Sequence, residues 1–272
     1  MAKIKNKKVI YYADEINDDF AGTKIKSCCV DENFKYIHKN IFWRFASFLL
    51  YYFVAFPLVF FYERIILRVR FVNKKAVKKY KGQPYFLYGN HTGFIDAFTP
   101  NLISFPHRNR IVVGPDTVSI KGIKNIVQML GAIPVPTGFR GMKQFIKTIE
   151  FYHVSSNITI YPEAHIWPYY NGVRSFTDSS FSYPIKLNAP TFAFFTAYTK
   201  PKGFLSCFRK ANITVYVSEP IFADEGLSAQ EKRKNIRDKV YNFMLEKAKY
   251  SDYEVIKYVQ AETNEQSKVQ EK

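Results

Sequence analysis

The chain has 272 residues, 47% of them hydrophobic and 18% aromatic, enough for one large domain or two small ones with a full core. A formal net charge of +17 and a pI of about 9.6 favour nucleic acid, an anionic membrane or anionic substrates without choosing among them. Three cysteines (Cys28, Cys29 and Cys207), none in C-x-x-C spacing, exclude a disulfide framework and fit a reducing compartment.

In chain order, residues 1–40 form a polar extension with at most a short strand, and without an apolar stretch long enough for a signal peptide. Ile41–Tyr62 follows as 22 residues, 11 of them aromatic, with Arg44 as the only charge and Pro57 as an interruption. At 1.5 Å per residue this length just covers a hydrocarbon core of roughly 30 Å. Three readings stand: a single span, a kinked re-entrant anchor, and an aromatic helix packed on a soluble core. Length and lack of charge favour membrane contact.

Glu63–Lys81 carries eight basic residues against one acid, and its adjacency to the apolar run points to the anionic cytoplasmic leaflet rather than a merely solvated face. Lys35, Lys39 and Arg44 on the other side suit an anchor that enters and returns on that same face. Residues 41–81 are thus expected to be a membrane anchor with a polybasic segment.

Residues 82–250 predict a mixed, largely parallel α/β sheet flanked by helices. Strands are expected at Tyr85–Tyr88, Arg110–Val113, Ala132–Val135, Asn157–Tyr161, Thr191–Tyr198 and Ile213–Val217. Helices are expected at Asp96–Ser104 (limited by Pro100), Lys121–Leu130 (closed by Gly131), Gly141–Tyr152, and Ser228–Lys249, which opens on a Ser228/Glu231 capping box. Residues 251–272 read as a polar, fraying tail.

Chemistry concentrates at Gly89-Asn90-His91-Thr92-Gly93, where His91 and Asp96 stand five residues apart. On a regular helix they would lie about 140° apart and could not touch. A turn at Thr92-Gly93, between strand and helix, lets the carboxylate accept a hydrogen bond from one imidazole nitrogen and leaves the other basic. The spacing alone is weak, with about 0.2 matches expected by chance. No G-x-S-x-G pattern supports a hydrolase triad. A second polar element, Tyr161-Pro162-Glu163-Ala164-His165, follows a strand end, the usual place for a ligand contact in an α/β sheet. Glu163 could equally cap a turn or pair with a basic neighbour.

Over roughly residues 40–220 these motifs resemble the glycerolipid acyltransferase family, whose type member acylates 1-acyl-glycerol-3-phosphate. Its N-H-x-x-x-x-D block is matched by Asn90, His91 and Asp96, and its F/Y-P-E-G block in part by Tyr161, Pro162 and Glu163. An apolar block around a proline is matched by Ala189-Pro190-Thr191-Phe192-Ala193-Phe194. The resemblance implies a general base at His91, oriented by Asp96, and acceptor binding around Asn90, Glu163 and His165. The base would take a proton from a lysophospholipid hydroxyl, which would then attack the thioester of acyl-CoA or an acyl carrier protein. The family's second block ends in an arginine that binds the acceptor phosphate; here Thr137 stands there, and the nearest cations are Arg140 and Lys143. Ala164 replaces the third block's glycine, and Arg174 lies further on. The phosphate site is therefore either rebuilt from Arg140, Lys143 and Arg174 or absent.

Neither a cofactor nor a metal is expected. Zinc on His91, His165 and Glu163 lacks a short ligand spacing. His38, His107 and His153 read as surface or structural residues. Nucleic acid is not an expected partner, because the basic residues cluster beside an apolar anchor and no recognition motif is present. The alternative in a different class is a lipid-binding protein that kept the fold and lost turnover.

Overall fold

The computed structural model describes residues 8–22, 27–80, 83–120, 122–202 and 209–261. Cys207, Lys81, Lys121 and the last part of the tail lie outside the described residues. Seven strands form the main sheet: β2 (Arg70–Val72), β3 (Phe86–Gly89), β4 (Asn109–Val113), β5 (Ala132–Pro134), β6 (Asn157–Ile160), β7 (Thr191–Thr199) and β8 (Asn212–Val217). Their order is β2-β8-β7-β3-β6-β4-β5. Only β7 and β8 pair antiparallel; every other neighbouring pair is parallel. Strands β3 and β6 are buried at every position, and β7 at all but its last. Such continuous apolar runs fit parallel strands covered on both faces. The carboxyl ends of β3 to β7 therefore share one edge of the sheet.

Helices cover both faces. On one, Phe145 and Ile149 of the helix Phe139–His153 and Ile236, Val240 and Met244 of the helix Ala229–Ala248 meet Phe86, Tyr88, Ile158 and Ile160. On the other, Leu87, Phe192, Phe194 and Val215 pack with Ile95, Ile103 and Val77. The capping box forms at Ser228, whose N–H donates to Glu231 Oε2 at 2.9 Å. The helix expected over 96–104 divides into a 3-10 turn, Phe94–Ala97, and a helix, Thr99–Ser104. Pro100 falls in the first turn of the second piece, where its missing N–H costs nothing.

The aromatic stretch forms one continuous helix, Ile41–Ile66, long and apolar enough to cross a membrane. Pro57 does not break it. The preceding turns widen to π-helix over Leu50–Ala55, with the Phe56 N–H donating to Tyr51 O, so the ring is accommodated. The helix touches the globular domain along its length. Ser47 Oγ donates to Met129 O (2.6 Å), Tyr51 Oη to Asn101 Oδ1 (2.8 Å) and Tyr52 Oη to Pro106 O (3.0 Å). Phe56 stacks on Phe105, and Thr99 Oγ1 donates to Glu63. Most of the other face is exposed, including Phe42, Phe45, Phe53, Leu58 and Phe61.

The termini meet. β1 (Lys8–Tyr12) pairs in parallel with β9 (Ile256–Gln260), so the expected fraying tail is ordered at least as far as Ala261. Two short polar-flanked segments become a sheet because they share an aromatic cluster: Tyr12, Phe20 and Tyr258 all pack on Trp167.

Glu63 is fully buried, and burial pushes its carboxyl up to about 8, with nearby Asp96 adding to the shift. The folded state then holds a proton that the unfolded chain releases above about pH 4.5, so Glu63 costs stability progressively as pH rises toward 8. Glu63→Gln keeps an acceptor for Thr99 and removes that cost. We expect thermal unfolding of the variant to lie at least about 3 °C above wild type at pH 8, with the gap closing toward pH 5. A pH-independent difference would show that Glu63 is ionised in the fold.

Candidate active site

The turn after β3 is built around one buried carboxylate. Asp96 Oδ2 lies 2.9 Å from His91 Nδ1 and accepts from the backbone N–H groups of Thr92 (2.6 Å) and Gly93 (2.9 Å). The pairing expected from a strand-to-helix turn is thus present in the geometry. His91 is 18% exposed and Asp96 1%. With Nδ1 directed at the carboxylate, Nε2 is the nitrogen left without a partner among the described residues. An imidazole held this way accepts a proton at Nε2 while the carboxylate faces the developing charge.

Tyr161, the first residue beyond β6, stacks on the imidazole at 4.4 Å and 16°, and its hydroxyl donates to the backbone oxygen of Asp96. Thr92 Oγ1 lies 2.8 Å from Tyr198 Oη on β7. Gly89 ends β3 directly against Phe194: a Cβ there would sit 2.1 Å from that ring, so the strand enters the turn through a gap only glycine leaves.

Asn90, expected among the substrate contacts, is fully buried. Its amide donates to Thr196 O (3.2 Å) and accepts from Thr196 N (2.8 Å), stitching the turn to β7. Glu163 is also buried; Oε2 accepts from His91 N (3.2 Å) and Arg174 Nη2 (3.3 Å), and Oε1 from Arg174 N (3.1 Å). Burial raises its carboxyl above the ordinary range, against the pull of Arg174. Both side chains hold the backbone that carries His91 rather than facing solvent.

Arg174 is not a free cation. It is 1% exposed, paired with Glu163, donating to His165 O, and set 5.0 Å from the Trp167 ring. His165 Nδ1 stands 3.8 Å from Asp19 in the N-terminal segment. Arg140 and Lys143 are exposed at the start of the helix after β5, and no hydrogen bond or ion pair joins them to His91 or Asp96 among the described residues. Three strand spacings separate β5 from β3, about 14 Å. The structure therefore joins Asn90, His91, Asp96, Glu163 and Arg174 in one network, which takes in the His165 backbone but leaves the His165 side chain, Arg140 and Lys143 outside it. Thr137, at the place of the expected arginine, accepts from Val30 N at 3.2 Å and so holds the N-terminal segment. Among the described residues no three His, Cys, Asp or Glu side chains group as metal ligands.

Sequence reasoning missed Tyr161 as a ring partner of His91, and Thr92 and Tyr198 as its neighbours. The available signal was position: Tyr161 directly follows a buried strand, which the sheet order places beside β3. The loop after Glu163 also hydrogen-bonds the turn itself, Trp167 N to His91 O (3.1 Å) and Tyr169 N to Thr92 O (2.8 Å).

The sequence matches no family model and no curated protein. The fold is similar to that of a solved structure, the 1-acyl-sn-glycerophosphate (LPA) acyltransferase PlsC from Thermotoga maritima. The TM-score is 0.51 at 18% identity, covering 75% of this chain and 86% of that one. The fold implied by the motif resemblance is the fold the chain adopts.

Ala164 turns the chain after Glu163 with φ +63°, a left-handed conformation that costs an L-residue roughly 1–2 kcal/mol. Its side chain is exposed, so removing the methyl loses no packing. Glycine's greater freedom in the unfolded chain returns about 0.4–1 kcal/mol. We expect Ala164→Gly to raise the urea midpoint by the equivalent of under about 1 kcal/mol with an unchanged m-value. A lowered midpoint would show that the turn carries no strain.

Proposed function

We propose that this protein is an O-acyltransferase working at a membrane surface, moving a fatty acyl group from a thioester to the hydroxyl of a lysophospholipid. The carrying observation is the His91–Asp96 pair, with Nδ1 engaged and Nε2 without a partner among the described residues, at the carboxyl edge of a largely parallel sheet. That edge is where ligands of open α/β sheets bind.

Nε2 of His91 removes the proton of the acceptor hydroxyl as its oxygen attacks the thioester carbonyl. The carbon–sulfur bond breaks, the thiolate leaves, and the imidazolium returns the proton to it. Asp96 keeps the other proton on Nδ1 and offsets the positive charge of the imidazolium. General-base catalysis of this kind contributes typically about 10²–10⁴-fold. Asn90, Glu163 and Arg174 act as positioning residues. The protein used as comparison is named for acylating 1-acyl-sn-glycerophosphate; here the acceptor's phosphate would have Arg140 and Lys143 as exposed cations, because Arg174 is buried and paired.

Membrane placement rests on the helix Ile41–Ile66. Its polar contacts bind it along the domain, so it lies in the interface with its exposed aromatic face toward lipid, on the cytoplasmic leaflet that the polybasic segment favours. Phe94, 74% exposed in the turn between His91 and Asp96, adds apolar surface beside the site. Lys200, Lys202 and Lys210, exposed at the end of β7 and start of β8 on the same edge, supply positive charge for acyl-CoA or an acyl carrier protein.

The test pairs lysolipids, phosphorylated and not, with acyl-CoA and acyl carrier protein thioesters. We expect transfer by the wild type and a loss of at least about 100-fold in His91→Ala, with the fold intact by circular dichroism. Undiminished transfer by His91→Ala removes the assignment. Lipid binding without transfer by the wild type on any pair supports instead a lipid-binding protein of this fold.

A further inference from the structure

A cavity of about 580 Å³ opens at the N-terminal end of the membrane-facing helix, lined among others by Lys35, His38, Asn40, Trp43, Asn125 and Met129. It is remote from the candidate active site. Trp43 and Glu63, which accepts from Thr99 near the Asp96 turn, are 20 residues apart on one helix, or about 30 Å.

The cavity is built for an anion. No acidic residue lines it. The His38 ring stacks on Trp43 at 3.8 Å and 10°, which fixes the imidazole. The imidazole is held from its other side by Gln128 and the backbone of Lys35, whose hydrogen bonds favour its charged form. Burial first, and then the charges of Lys35 and Lys124, hold His38 below its ordinary pKa, so both lysines project their field onto this ring. Lys124 Nζ is itself placed 4.6 Å over the Phe34 ring. Both lysines are exposed, and neither is in an ion pair among the described residues. Phe42, in the lining, is 80% exposed, and Phe45 and Ile126, next in sequence to lining residues, are exposed as well. A lysine on the cavity wall, a second lysine close enough to act on His38, no acid in the lining, and aromatic side chains at the bilayer face match a phosphate carrying acyl chains rather than a soluble anion.

We propose that this cavity binds the phosphate headgroup of an anionic bilayer phospholipid, fixing the far end of the helix to the membrane at a site separate from catalysis. The proposal rests on the reading of the aromatic face as a membrane face, and its test uses His91→Ala protein so that failure of the acyl-transfer reading leaves it unaffected.

The chain has two tryptophans, and Trp43 lines the cavity while Trp167 is fully buried with its indole N–H donating to Asp18 O. Intrinsic fluorescence therefore reports on the site. Full-length His91→Ala protein would be titrated with dihexanoylphosphatidylglycerol below its micelle concentration, with dihexanoylphosphatidylcholine, and with inorganic phosphate. We expect a saturable change with phosphatidylglycerol that vanishes when Trp43→Phe is added. We expect about tenfold weaker binding when Lys35→Gln and Lys124→Gln are added. The charge-matched pair Lys234→Gln and Lys249→Gln, elsewhere on the surface, should bind as the parent. Unweakened binding in the Lys35/Lys124 variant, or equal weakening in both pairs, overturns the proposal in favour of diffuse charge attraction. Inorganic phosphate that saturates as tightly as phosphatidylglycerol overturns the lipid assignment and leaves a free-anion site. A signal that survives Trp43→Phe locates binding elsewhere and also overturns it.

Discussion

A buried carboxylate must be surrounded by donors, and much of this structure follows from meeting that demand for Asp96. One oxygen takes His91 Nδ1 and two backbone N–H groups within a six-residue span, which is only feasible if the chain leaves the strand and doubles back at once. That turn cannot hold itself. It is fastened to β7 through the Asn90–Thr196 pair and to the loop after β6 through Glu163. Glu163 in turn is a buried charge, and Arg174 is the residue that makes it tolerable. The sequence of dependence runs outward from Asp96 Oδ2, each partner needing another in turn, while Asp96 Oδ1 and Arg174 Nε have no hydrogen-bond partner among the described residues.

The chain of partners ends at the termini. Arg174 Nη1 donates to Glu15 O, Trp167 Nε1 to Asp18 O, and Tyr258 Oη to Pro168 O. The N-terminal segment and the last strand thus close over the loop that carries Glu163. These segments have only short apolar runs of their own, and the Trp167 cluster gives them somewhere to bury aromatic rings.

His91 and Asp96 were legible in the sequence because their interaction is local: five residues, a Thr-Gly turn and a preceding apolar run define it. The main strands were legible for the same reason, as short buried runs bounded by turn residues. What was not legible depends on partners far along the chain. Asn90 meets Thr196 across 106 positions and Glu163 meets His91 across 72, so neither could be told from a substrate contact by spacing. Arg174 looked like a spare cation because its distance from the Glu163 carboxylate is a property of the folded loop. The terminal strand pair was missed because β1 and β9 are polar-flanked and each is a strand only by virtue of the other.

For the helix Ile41–Ile66 composition alone does not choose among crossing a membrane, lying on one and packing on a soluble core. Its 26 residues reach far enough to span, and hydropathy counts side chains without asking which way they point. The residues that decide are few and polar: Ser47, Tyr51, Tyr52 and Glu63 each hydrogen-bond the domain. Arg108, which donates to Ser47 and sits 4.9 Å over the Tyr51 ring, belongs to the same seam. A helix standing across the bilayer would carry this seam, with Arg108, Asn101 and Thr99, into hydrocarbon, where such groups are costly. In the proposed placement, laid flat, the same helix would keep the seam in protein and turn its aromatic face to lipid. That arrangement also accounts for Glu63: a carboxyl at the point where the helix meets the Asp96 turn is tolerated neutral, accepting from Thr99, and so ties the orientation of the helix to the turn that carries His91.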